Sequence, residues 1–349
     1  MGRRDVMKAV VYYDVKDFRL EEIPVPQISS AEILVRVKAC GICSTDIFKA
    51  KYGKAKPGAV LGHEISGEVA EVGPEVTDFK VGDRVGVLHH APCGACYFCL
   101  RGQEPLCDQY RRGGVIPGGF SEYIRVLPEL ARKTVLKIPD TLTYEEATMT
   151  EPTACSVRAL IQCEISPGDR LLVIGDGPMG LLLAILAKYF GASQVIMSGH
   201  HDFRVRTAEK LGVDYAYNSQ KVNMADKVKY LTDGMGADIV IVAVASTSVV
   251  QEALKMAQEG GKICLFGDFR DVPQPPVQVA PDLMISQNKA LFGSWGCSPR
   301  DYQTALNMIK MGRVPARELI TQTFPMERFP EALDLMEKKG ECLRVVLQL

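Results

Sequence analysis

Leu171-Leu172-Val173-Ile174 runs directly into Gly175-Asp176-Gly177-Pro178-Met179-Gly180, and that turn opens a second apolar run from Leu181 to Ala187. The first run fits a strand covered on both faces and the second a buried helix. Glycines at this spacing are a weak signal alone, because glycine clusters mark many turns. Between a strand and a helix they specify a tight unit in which backbone can approach a ligand closely. The amides after Pro178 and the helix dipole then face negative charge, such as a dinucleotide pyrophosphate. Gly175, Gly177, Pro178, Met179 and Gly180 are the candidate cofactor contacts, with Val244, at the end of a later apolar run, as another. The bland alternative is a helix entry that binds nothing.

The same rhythm continues downstream. Gln194–Ser198, Asp238–Val244 and Lys262–Phe266 are apolar runs, alternating with helical patterns at Met179–Phe190, Asp202–Leu211 and Val249–Gln258. Such alternation predicts a doubly wound α/β domain with a parallel sheet, and an apolar strand near Leu291 extends it. Upstream, to about residue 155, short strands at Lys8–Tyr13, Glu32–Ala39, Ile65–Val72 and Arg84–Leu88 are broken by turns such as Val81-Gly82-Asp83. This predicts an irregular, largely antiparallel β domain. After Phe292-Gly293 come helical segments at Arg300–Met311 and Phe329–Lys338 and a strand at Leu343–Leu347. That tail is expected to return to the first domain.

A chain of 349 residues suits two domains, and 47% apolar with 24% charged residues is globular. A net charge of −1 gives no electrostatic case for nucleic acid or anionic lipid as partner. The apolar run Leu181–Ala187 stops at Lys188, far short of a membrane span. Met1-Gly2-Arg3-Arg4-Asp5-Val6 reads as a polar extension rather than a leader, and Val6 breaks the myristoylation pattern. The 11 cysteines are therefore expected to be reduced, in a cytoplasmic protein.

Discrimination between NAD and NADP depends on the end of the second strand of the α/β domain. An acid there takes the ribose hydroxyls and repels a 2′-phosphate. Here the strand tip is Gly199, followed by His200, His201, Asp202 and Arg204. The missing acid and the donors His200, His201 and Arg204 favour NADP. Asp202 reaching back to the ribose is the case for NAD.

Two groups of residues have the chemistry of metal ligands. Cys93, Cys96, Cys99 and Cys107 form a C-x2-C-x2-C-x7-C run, and four thiolates in so short a loop surround one tetrahedral Zn²⁺ with no position left for water. Such a closed site shapes a loop and performs no chemistry. Upstream, Cys43 and His63 offer a thiolate and an imidazole, with Glu64 or Glu151 as a carboxylate, which leaves a position for water or substrate. By residue type alone a lone Cys and a lone His are as often core residues as ligands. Lys49, Lys51, Lys54 and Lys56 read either as a solvated basic loop or as a site for an anionic polyol.

Gly62-His63-Glu64-x-x-Gly67-x5-Gly73-x-x-Val76 resembles the zinc signature of the medium-chain alcohol dehydrogenase family. Gly41-Ile42-Cys43-x-x-Asp46, the cysteine loop, Gly118-Gly119-Phe120-x-Glu122-Tyr123 and Glu151-Pro152 fit it in order, over nearly the whole chain after Met7. The resemblance implies a GroES-like β-rich catalytic domain (1–155 and 295–349) and a Rossmann domain (156–294), with substrate in the cleft between them. Glu151-Pro152 is similar to the polyol branch, which includes sorbitol, galactitol-phosphate and threonine dehydrogenases. The ordinary alcohol dehydrogenases place a third metal-binding Cys at this point. Carried over residue by residue, Cys43 and His63 are zinc ligands, Glu64 a ligand or close carboxylate, and Glu151 a direct or water-mediated one. Asp46 orients His63, and Thr45 hydrogen-bonds the substrate oxygen and starts the proton relay. Phe48 stands where several relatives have a relay His, so the relay is expected to run through Thr45 and the cofactor ribose. Cys40 is read as core, like Cys155, Cys163, Cys264, Cys297 and Cys342, and His90 as a pocket or plain loop residue.

The leading expectation is a zinc-dependent NAD(P)-linked dehydrogenase with two Zn²⁺ per chain. Its substrate is a polyol, sugar phosphate or cyclitol, or alternatively a β-hydroxy amino acid such as threonine, and it is a homodimer or homotetramer. A zinc-knuckle binding module is disfavoured by the near-zero charge and the single cysteine cluster. A relative that has lost catalysis would be expected to lack Cys43, His63 or the glycine turn, and all are present.

Overall fold

In the computed structural model, which describes residues 5–269, 274–338 and 341–349, Arg170–Ile174 is an inner strand of a six-stranded parallel sheet. Residues 1–4 of the polar extension lie outside the described residues, while Val6 opens the strand Val6–Asp14. Across the sheet the strands are Tyr215–Asn218, Gln194–Gly199, Arg170–Ile174, Ala237–Val242, Ala257–Leu265 and Ala290–Gly293. This is the 3-2-1-4-5-6 order of a doubly wound sheet. Leu172 lies beside Ile196 on one side and Val240 on the other, and all three are fully buried. Burial on both faces is why these strands read as unbroken apolar runs rather than alternating ones. Helix Pro178–Ala187 is apolar all round and buried from Gly180 to Ala187, as an inner helix must be.

Two boundaries differ from the sequence reading. The helix expected to reach Gln258 is Thr247–Met256, and Ala257 is already extended, pairing with Ala237. Gln258-Glu259-Gly260-Gly261 offers no apolar face to continue a buried helix, and Gly260 at φ +75° ends its regularity. The strand expected to reach Val244 stops at Val242, because the chain turns there toward helix Thr247–Met256, whose N-cap is Ser246.

The chain divides into two compact units, one of residues 1–154 and 297–349 and one of residues 155–296. The first is β-rich. Ile33–Gly41 pairs antiparallel with Glu64–Val72, with Tyr123–Val126 and with Arg344–Gln348, and Glu64–Val72 pairs onward with Arg84–Leu88 and that with Val135–Lys137. Ile320–Pro325 joins the far edge in parallel. A smaller sheet holds Asp17–Pro24, Val6–Asp14 and Ala59–Val60. The core includes Val35, Val37, Ile65, Val87, Phe120 and Val345, with Cys40 fully buried among them. Cys163, Cys264, Cys297 and Cys342 are buried and Cys155 is half-buried. Register fixes one functional neighbourhood: Gly41 lies opposite Glu64 on one neighbour and Val346 on the other. No described helix is long and apolar enough to cross a membrane.

Candidate metal centre and dinucleotide turn

Cys43 follows the end of the strand Ile33–Gly41, just after Ile42, and is the N-cap of helix Ser44–Tyr52, with extended backbone at φ −90°, ψ 154°. The Asp46 carboxylate accepts the Cys43 amide at 3.0 Å and closes the first turn. Its other oxygen lies 3.4 Å from His63 Nδ1, so Asp46 ties the helix entry to the second ligand loop. Burial would raise the Asp46 carboxyl, but the His63 charge and the Cys43 amide hold it below its ordinary value. Burial likewise opposes charge on Cys43 and His63; their mutual contact outweighs it, lowering the thiol and, with Asp46, raising the imidazole well above its usual value. The shift favours the thiolate, the form that binds metal.

Gly62 makes the His63 loop possible. Its φ is +89°, and a side chain there would meet the Phe120 ring at 2.5 Å and the Phe120 amide nitrogen at 2.8 Å. Gly119 and Phe120 in turn donate their amides to Gly62 and Leu61 carbonyls, clamping the loop. Glu64 opens its strand fully buried, and its carboxylate is ion-paired with Arg344, itself 2% exposed. Gly41 has no side chain, which leaves the space that Glu64 and Arg344 fill.

Donor atoms of Cys43, His63 and Glu64 all lie within 4.8 Å of one another. Sulfur, imidazole and carboxylate are a zinc donor set. Glu64 Oε1 is buried with no hydrogen-bond partner among the described residues, an expense that a cation in the trio removes. These residues fit the metal. Glu151, at the start of helix Thr150–Cys163, is half-buried and is not part of the trio. Thr45 is half-buried in the first turn after Cys43. A row of rings runs from His63 to His89 (centroids 4.9 Å), His90 (3.7 Å) and Tyr110 (4.5 Å). The Nδ1 atoms of His89 and His90 are buried without hydrogen-bond partners among the described residues. Burial and the charge of His63 lower His90 to about 4, so it is neutral near pH 7.

Cys93, Cys96, Cys99 and Cys107 also bring their sulfurs within 4.8 Å of one another. Separations of 3.8 Å for Cys93–Cys99 and 3.5 Å for Cys96–Cys99 match the roughly 3.8 Å edge of a tetrahedron built on Zn–S bonds of about 2.3 Å. Backbone amides point at the sulfurs: Ala95 and Cys96 donate to Cys93, and Cys93 to Cys107. Burial pushes the Cys107 thiol up, but amides of Cys93, Tyr110 and Gln109 bring it down to about 6. This loop fits a closed zinc site.

In the other unit, Gly175 has φ +130°, and a side chain there would meet Val244 Cγ1 at 2.8 Å. Nothing lies within 4 Å of where a Gly177 side chain would stand, and Gly177 is an N-cap without a side-chain cap bond. An open backbone face at the N-terminus of a buried helix fits a pyrophosphate. His200 and Arg204 follow the strand tip at Gly199; Arg204 is 7% exposed and faces Asp176 rather than solvent. Sequence reasoning did not single out Arg344, His89 or Asp176. An arginine heading the buried strand Arg344–Gln348 was the available signal for the first, since a buried cation needs a carboxylate. For His89 and Asp176 only adjacency to known motifs was visible.

Residues 29–140 match the family described as Alcohol dehydrogenase GroES-like domain, and residues 178–311 the family described as Zinc-binding dehydrogenase. The chain is 31% identical to sorbitol dehydrogenase of Bacillus subtilis, covering 98% of this chain and 97% of the relative. It is 33% identical to D-arabitol-phosphate dehydrogenase of Enterococcus avium (99% and 97% covered) and 33% identical to L-threonine 3-dehydrogenase of Pyrococcus abyssi (95% and 94%). Among solved structures, an alcohol dehydrogenase from E. coli CFT073 complexed with NADH superposes with a TM-score of 0.88 at 27% identity, covering 99% of this chain and 100% of that one. A zinc-binding dehydrogenase from Sinorhizobium meliloti bound to NADP gives 0.88 at 25% identity, with 99% and 100% covered.

Proposed function

Because the chain belongs to the zinc-dependent medium-chain alcohol dehydrogenase family, in its polyol dehydrogenase-like branch, we propose that it interconverts a secondary alcohol of a polyol, sugar phosphate or cyclitol with the ketone, using NAD(P). The observation that carries this reading is the convergence of Cys43, His63 and Glu64 donors within 4.8 Å, with Glu64 Oε1 buried and without a hydrogen-bond partner among the described residues. A zinc ion there supplies the Lewis acidity that lowers the pKa of a substrate hydroxyl, and NAD(P)⁺ supplies the hydride acceptor.

The residues divide the remaining work. Cys43, His63 and Glu64 hold the metal, with Glu151 as a direct or water-mediated carboxylate. Asp46 takes the Nδ1 side of His63, which leaves Nε2 for the metal and fixes the ring. Thr45, in the first turn after Cys43, would hydrogen-bond the substrate hydroxyl and take up its proton, since the apolar Phe48 cannot hold one. Cys93, Cys96, Cys99 and Cys107 hold a second, structural zinc. Gly175, Gly177, Pro178, Met179 and Gly180 cradle the pyrophosphate, with Val244 packed against the turn. The threonine dehydrogenase likeness supports a second reading, oxidation of the hydroxyl of a β-hydroxy amino acid. We assign the protein to the cytoplasm as a homodimer or homotetramer, which light scattering of purified protein checks.

The test is turnover of sorbitol, arabitol phosphate and threonine with each dinucleotide, alongside metal analysis. About two zinc ions per chain are expected, with turnover of a polyol abolished by chelation and restored by zinc. Turnover that survives removal of all but the structural zinc would sink the reading. Threonine alone as substrate would replace it by the second.

A further inference from the structure

We propose that Asp176 sets this chain's choice of dinucleotide: its carboxylate takes the place of the absent strand-end acid and disfavours the 2′-phosphate of NADP. The inference rests on the dinucleotide reading of the glycine turn.

Gly199 is the last residue of the strand Gln194–Gly199, where an acid would read the ribose hydroxyls. A side chain at 199 would meet Asp176 Cβ at 2.4 Å, Oδ2 at 2.6 Å and Cγ at 2.7 Å. Asp176 therefore fills the volume that a residue at the strand tip would use, and Gly199 is what gives it room. Its carboxylate is anchored there. Oδ2 accepts the His200 and His201 amides, each at 2.7 Å, and lies 2.9 Å from His201 Nδ1, which donates in the tautomer protonated at that atom. Burial would raise this carboxyl, but those donors hold it below its ordinary value, so it is charged at neutral pH.

The buried guanidinium nearest this carboxylate already faces it, Arg204 Nη1 being 3.7 Å from Asp176 Oδ1, and the His201 ring nitrogen faces Oδ2. A phosphate needs unshared donors, whereas here it would meet a fixed anion that already engages those groups. A ribose hydroxyl can donate to the same carboxylate. Asp202, the other acid nearby, turns elsewhere: it accepts from Asn218 Nδ2 at 2.7 Å and Lys221 Nζ at 2.5 Å. Asp176 lies in the turn that would cradle the pyrophosphate and fills the strand-tip space from which an acid reads the ribose.

Fluorescence titration of the zinc-loaded, full-length protein with NADH and with NADPH tests this without turnover. The wild type should bind NADH more tightly. Asp176→Asn should lower the ratio of the NADPH to the NADH dissociation constant by roughly tenfold or more, one Coulombic repulsion having been removed. The double variant D176G/G199D, which moves the acid to the strand tip, should return the ratio to within about threefold of wild type. Should Asp176→Asn not fold, the wild-type ratio and the double variant decide. Tighter NADPH binding by the wild type or the double variant, or an unmoved ratio in a folded Asp176→Asn, overturns the proposal. If neither dinucleotide binds the wild type, the dinucleotide reading itself has failed.

Discussion

Arg344 and Glu64 form a buried ion pair at the edge of the metal trio, with exposures of 2% and 0%. Removing one member of such a pair strands a charge out of reach of water. In the zinc-free protein Arg344→Met should cost about 3–5 kcal/mol, read as a lower urea midpoint, and adding Glu64→Gln should recover part of it; a loss below about 1 kcal/mol would show that a group other than Arg344 or zinc neutralises Glu64. His90 belongs to the same scale. Its native value of about 4 lies below the 6.5 of an ordinary imidazole, so between these values the unfolded chain binds a proton that the native one refuses. Stability is therefore whole above pH 6.5, falls as pH drops toward 4, and loses nothing further from this group below that. The full loss is up to about 3 kcal/mol. His90→Gln should flatten that limb of the stability–pH curve, and an unchanged slope would remove His90 as its source.

The loop from Cys93 to Cys107 is an element with almost no core. Tyr97 is 63% and Leu100 75% exposed, and its regular structure is two short 3₁₀ turns, Cys99–Arg101 and Glu104–Leu106. Burial contributes little order to such a segment, so the proposed zinc is expected to supply it. Cys99→Ser should lose one zinc per chain and make the loop the first site of limited proteolysis, while NADH binding stays unchanged; a protease-resistant variant would mean that packing holds the loop. Elements with strong periodicity were legible in the sequence. Arg84–Leu88 and Phe329–Lys338 lie where their patterns place them. The helix that overshot to Gln258 failed because a polar, glycine-bearing segment still pairs as a strand next to Ala237. Tyr215–Asn218 gave little signal because it is a short, half-exposed edge strand.

At the scale of the whole molecule, the two kinds of site belong to different units: the trio and the cysteine loop to residues 1–154, the glycine turn with Asp176 to residues 155–296. His63→Ala should accordingly lose one zinc and polyol turnover yet still bind reduced dinucleotide within a few-fold of wild type. NADH at a hundred times its dissociation constant should stabilise that variant by about 2.7 kcal/mol, measured by thermal melting; an absence of any shift would tie dinucleotide binding to the metal.

What the amino-acid order determined was chemistry carried by local spacing. Four cysteines within one loop, a glycine turn between two apolar runs, and Cys43 three residues before Asp46 each specify a donor set or a backbone shape without help from distant residues. What only the tertiary structure decided was which distant groups share a charge. Arg344 reaches Glu64 through the register of Gly41 with two neighbouring strands, and Asp176 takes the place of the missing acid because Gly199 leaves a gap in an adjacent strand. Electrostatic pairing depends on distance in space, and in a sheet that distance is set by strand order and register rather than by separation along the chain.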